Sequence, residues 1–122
     1  MLGIKRYGLM LTCCLSLMSM PTVAEDKVYI LQAEQWNVPR QASSLLSMPG
    51  LREAVQAYET TPNGRFVIQH PQGEEGTLWA HELRGWLVSL GIASKDIDIM
   101  PGAGPSNQLE MRIQPPSLNV NQ

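Results

Sequence analysis

Two histidines and three glutamates fall within thirteen positions: His70, Glu74, Glu75, His81 and Glu82. These are residue types that hold zinc or move protons. A zinc site needs three or four convergent ligands, and a metalloprotease helix needs two histidines four apart. Here His81-Glu82 runs into Leu83-Arg84-Gly85, so the second histidine is missing. On a helix, His81 falls opposite the apolar residues. The cluster therefore reads as polar groups of a solvated loop and a helix surface, and no metal is expected. Nucleophilic catalysis has no better footing. Ser43, Ser44, Ser47 and Ser89 have no recognisable base partner, and there is no Gly-x-Ser-x-Gly elbow. Gly102-Ala103-Gly104 lacks the following helix that phosphate binding requires, so it reads as a turn. No catalytic residue and no cofactor is expected, and the chain does not read as an enzyme.

The tryptophans suggest binding instead. Trp79 and Trp86 are seven apart and share one helix face. One reading packs both into the core. The other leaves one ring partly exposed for a partner, since tryptophan is enriched at interface hot spots. Trp36, in a connector, has the same two readings.

The elements that would position these residues follow from periodicity. Lys27 to Gln32 is rich in β-formers and reads as a strand. Ala33 to Pro39 reads as a connector, and Arg40 to Met48 as an earlier helical turn. Leu51, Ala54, Val55 and Tyr58 mark one face of a helix over about Pro49 to Tyr58, with the proline in its first turn. Thr60 to Gly64 is turn chemistry. Arg65 to His70 reads as a strand with both faces partly buried, and Pro71 to Gly76 as a loop. A second helix is expected over about Thr77 to Leu90, with Trp79, Leu83, Trp86, Leu87 and Leu90 inward. Gly91 stands at its left-handed cap and Ile92 closes over the last turn. Gly85 within it predicts close contact with a strand. Asp96 to Met100 and Gln108 to Gln114 alternate apolar and polar, as strands with one dry face do. Strands with one wet face cannot be covered by helices on both sides. The expected fold is therefore α+β: a two-layer sandwich with a mixed sheet of about four strands and two helices on one face, in the order β-α-β-α-β-β. The strands at 65–70 and 96–100 should be parallel, joined by a right-handed crossover.

The chain's start and charge set its surroundings. Lys5 and Arg6 precede an almost wholly apolar stretch from Leu9 to Met20, and Pro21 to Ala24 supplies small residues before Glu25-Asp26. This is the pattern of a secretory signal peptide over 1–24, cleaved after Ala24. Its apolar core, about 12 residues, is too short for an integral membrane anchor. The expected destination is the bacterial periplasm. Both cysteines, Cys13 and Cys14, fall in the leader, and with only Leu9 to Leu11 apolar ahead of them a lipoprotein is not expected. Removal of Lys5 and Arg6 leaves seven scattered basic residues against eleven acids, a net charge of −4. Nucleic acid needs clustered cations, so it is excluded as a partner. The domain is expected over 25–114, with 115–122 as a frayed, disordered tail.

This order and several local strings resemble the OmpA-like domain, the peptidoglycan-associating module of envelope proteins, over about Val28 to Ile113. Leu51 to Tyr58, Pro62 and Arg65-Phe66-Val67-Ile68 look like that family's first helix, turn and second strand. Leu83, Trp86, Leu87 to Ile92 and Asp96-Ile97 look like its second helix, Gly-Ile stop and third strand. Gly102, Gly104, Pro105 and Asn107, then Leu109 to Ile113, look like its last loop and strand. The resemblance implies a peptidoglycan-binding module, whose mouth would be His70, Gln72, Glu74 and Glu75 with the helix start near Thr77. The departures fall there. The family's Thr-Asp pair, whose aspartate grips diaminopimelate, is replaced by His70-Pro71-Gln72. Its following loop is shorter here, and Trp79 stands where the family has its ligand-binding arginine. Peptidoglycan affinity is therefore expected to be weak. A protein-interaction subunit of an envelope machine, such as a secretion, pilus or conjugation apparatus, is the favoured reading, with Trp36 and Trp79 as candidate contacts.

Overall fold

The computed structural model describes residues 27–116. The expected leader at 1–24 lies outside the described residues, as does most of the expected tail. The elements are β1 (Val28–Gln32), α1 (Ala33–Trp36), α2 (Ala42–Leu45), α3 (Pro49–Glu59), β2 (Arg65–His70), α4 (Glu74–Ser89), a 3-10 turn (Ser94–Asp96), β3 (Ile97–Pro101) and β4 (Gln108–Gln114). The strands form one mixed sheet in the order β1-β4-β2-β3. β4 runs antiparallel to both neighbours, with Tyr29 opposite Met111 and Ile68 opposite Met111. β2 and β3 are parallel, Phe66 opposite Ile97, as a strand–helix–strand crossover through α4 demands.

Alternation decides which sheet face is dry. Leu31, Phe66, Ile68, Leu109 and Met111 are fully buried, in one cluster with Leu45, Leu51, Ala54, Ala80, Leu83 and Leu87 from the helices. The result is the expected two-layer α+β sandwich. Val67 points to the other sheet face and is still only 1% exposed. Arg112 and Asp98 stand directly beside it in the register, and Asp98 is held by two bonds from the Arg65 guanidinium, at 2.6 and 2.7 Å.

Four local expectations are corrected. α4 begins at Glu74 rather than Thr77, so the loop after β2 shrinks to Pro71–Gly73. Glu74 and Glu75 favour this early start, because carboxylates in a first turn complement the helix dipole. Gly76 permits it: a Cβ there would sit 2.1 Å from the Pro71 carbonyl oxygen. The 33–39 connector contains a helical turn, α1, anchored where the Gln35 side chain accepts the Gln32 N–H at 3.1 Å. His70 is buried rather than solvated. Gly85 makes no close contact with a strand; it is exposed, and nothing lies within 4 Å of where its Cβ would be.

The end of α4 follows expectation. Gly91 adopts φ 102°, its N–H donates to the Val88 carbonyl at 3.0 Å, and the Ile92 N–H donates to the Leu87 carbonyl at 3.0 Å. This Schellman geometry satisfies the last carbonyls and buries Ile92 over the final turn.

Candidate functional site

β1 ends beside the loop that precedes β4, and the Ala33 N–H donates to the Asn107 carbonyl at 2.8 Å. That bond fixes the start of α1 and so the direction of Trp36, which is 5% exposed. The Trp36 indole N–H donates to the Glu82 carboxylate at 3.1 Å, joining α1 to α4 across 46 positions of sequence. Arg40 completes the junction. Its guanidinium lies 4.6 Å from the centre of the Trp36 ring, donates to the Trp36 carbonyl at 2.8 Å and reaches Glu82 at 3.4 Å. The Arg40–Glu82 pair is solvated and worth only about 0–1 kcal/mol. Its consequence is orientational: both charges are committed to each other and to Trp36.

Trp79 comes from α4, its ring centre 6.5 Å from that of Trp36 and tilted by 37°. Between the 33–40 segment and the first two turns of α4 lies an open cleft of about 400 Å³. Trp36, Arg40, Glu75, Leu78, Trp79 and Glu82 line it. That volume is within the range of ligand-binding clefts. The Trp79 indole nitrogen is buried and has no hydrogen-bond partner among the described residues. An orphaned donor of this kind costs about 1–3 kcal/mol.

The residues singled out in the sequence divide into three groups. Trp36, Glu75 and Trp79 converge on the cleft. Glu74 and Thr77 line an adjoining depression, and the Thr77 hydroxyl is used locally, donating to the Gly73 carbonyl at 3.0 Å. His70 and Gln72 line neither. Gln72 is exposed, while His70 is buried with Nδ1 2.8 Å from the Pro71 carbonyl oxygen. A carbonyl only accepts, so Nδ1 carries the proton. Among the described residues no three His, Asp or Glu side chains converge as metal ligands, and no helix is long and apolar enough to cross a membrane.

Arg40 and Leu78 were missed by sequence reasoning. Arg40 acts through tertiary pairing, which leaves no periodic trace. Leu78 did leave one: it falls off the apolar stripe of α4 and is 66% exposed.

No family model matches the chain, and no significant match exists among curated proteins or solved structures.

Proposed function

We propose that this is a non-catalytic periplasmic binding domain on an OmpA-like scaffold, serving as a protein-interaction subunit of a cell-envelope machine. The observation that carries this reading is the cleft between α1 and α4. It is floored by tryptophan, and the one guanidinium among its described lining residues, Arg40, is tied to Glu82 and stacked on Trp36. An OmpA-like ligand site holds a zwitterionic amino-acid centre with a free carboxylate and a free guanidinium. Charge-assisted hydrogen bonds are worth about 1.5–3 kcal/mol each, so a cleft whose guanidinium is already committed loses roughly one to two decades of affinity for such a centre. Half-buried indole beside an exposed leucine is instead the composition of a protein interface.

Peptidoglycan binding is the second reading, favoured by the presence of both charge signs, Arg40 with Glu75 and Glu82, in one cleft. A pull-down on purified sacculi, with an intact OmpA-like domain as control, decides between them. The protein-interaction reading expects no retention. It also expects a photo-crosslinking residue at Leu78, but not one at exposed Lys95, to capture a discrete envelope protein in living cells. Retention equal to the control overturns it.

A further inference from the structure

The tryptophan cleft does not stand alone. Leu78 also lines the depression at Gly73 and Glu74. Arg40 also lines a hollow beside Val38 and Trp86, and Trp86 in turn lines a hollow at Gly85 and Ser89. Neighbouring depressions share lining residues, so the four lie side by side along α4 from Gly73 to Ser89, a row we term the α4 groove. A 16-residue helix is about 24 Å long, the reach of roughly seven residues of extended chain.

Two observations specify what fits there. The first is charge. Glu74, Glu75 and Glu82 line the groove, and the one cation among its lining residues, Arg40, is already paired. With Arg40 and Glu82 offsetting each other, Glu74 and Glu75 leave the groove net negative beside the apolar side chains of Leu78, Trp79 and Trp86. The second is Gly85. In a helix interior glycine costs about 1 kcal/mol relative to alanine, and nothing in the described chain approaches this one within 4 Å of its Cβ position. Its bare backbone does nothing for the isolated domain, but it lets another chain approach closely.

We propose that this groove binds a basic, apolar-anchored segment of a partner protein. Its leucine-like side chains rest on Leu78, Trp79 and Trp86, its lysines or arginines face Glu74 and Glu75, and its backbone passes over Gly85. The proposal rests on the protein-interaction reading and adds the partner's chemistry to it.

Two synthetic peptides of about ten residues test it, one alternating leucine with lysine and one alternating leucine with glutamate. They are titrated against the purified mature protein by tryptophan fluorescence and amide chemical-shift mapping. The lysine peptide is expected to bind, more weakly as salt rises, with shifts concentrated at Leu78, Gly85 and Trp86. Leu78→Ser and Glu75→Lys should each weaken it about ten-fold, or about 1.4 kcal/mol. Gly85→Ala should raise the melting temperature and still weaken the peptide about ten-fold, which separates binding from folding. Preferential binding of the glutamate peptide in the same groove overturns the basic chemistry and leaves the protein-interaction reading standing. Unchanged affinity in Gly85→Ala overturns the close approach. Absence of saturation by either peptide up to about 1 mM, or a dimer in sedimentation that protects Leu78 and Gly85, overturns the proposal. If that absence accompanies retention on sacculi equal to the control, the protein-interaction reading falls with the proposal.

Discussion

At the scale of single residues, the two tryptophans of the cleft make opposite use of the same indole nitrogen. The Trp36 N–H is bonded to Glu82, whereas the Trp79 N–H is buried without a partner among the described residues. Substitution by phenylalanine removes the donor in both cases and shrinks the ring similarly. Trp36→Phe should forfeit a charge-assisted bond, whereas Trp79→Phe should relieve an orphan worth about 1–3 kcal/mol. In urea titrations Trp36→Phe is expected to cost at least about 1 kcal/mol more than Trp79→Phe. Equal losses would mean that ring volume alone sets both values. The sequence made Trp36 and Trp79 conspicuous as residue types. It could not show that Glu82, on the polar side of α4, is the partner of one of them. A bond across 46 positions depends on how the sheet brings α1 beside α4, and no local spacing encodes that.

At the scale of elements, α4 and the cap that follows it carry two glycines, Gly85 and Gly91, whose roles are easily confused in the sequence. Gly91 follows the last turn at φ 102°, a conformation in which a Cβ meets the following carbonyl oxygen. Gly85 sits in the helix interior with open space around it. The same substitution should therefore act in opposite directions. Gly91→Ala is expected to destabilise by about 1–2 kcal/mol, and Gly85→Ala to stabilise by up to about 1 kcal/mol. Thermal unfolding followed by circular dichroism compares them, and a loss in Gly85→Ala would show that the helix interior is more crowded than its surroundings indicate. Gly91 was legible because the left-handed cap has a position-specific signature, glycine followed by an apolar residue. Gly85 was not, since the reasons for a mid-helix glycine lie in three-dimensional neighbours. The start of α4 was misplaced for a related reason: Gly76 reads as a loop residue until the Pro71 carbonyl is seen to occupy the space a side chain would need.

At the scale of the whole molecule, the layers and pairing were the most legible part. Strict alternation in β3 and β4 leaves one sheet face for the helices, and the helix between β2 and β3 requires a parallel pair. β1 begins at Val28, three residues beyond Glu25, so the leader's expected cleavage site abuts an edge strand. Protein isolated from a periplasmic fraction should have Glu25 as its N-terminal residue; Met1 recovered from cytosol would refute export. The sheet face away from the helices carries a contact expected to couple stability to pH. The Arg65 guanidinium, bonded to both oxygens of Asp98, holds that carboxyl below its ordinary value, and Asp98 raises Arg65 in turn. A depressed carboxyl favours the folded state wherever the unfolded chain's carboxyl is also ionised, that is, above about pH 4. As pH falls through that value the unfolded chain takes up a proton that the folded chain refuses. The advantage shrinks until the pH passes below the folded value, where it is gone. Both side chains are well exposed, at 43% and 39%, so solvent and salt moderate the effect. Asp98→Asn should therefore unfold more readily than the parent at neutral pH and show a shallower loss of stability below about pH 4. High salt should narrow the difference between them. Urea midpoints measured across the acid range test this, and parallel curves for the two proteins would show that the Arg65–Asp98 contact does not couple folding to protonation.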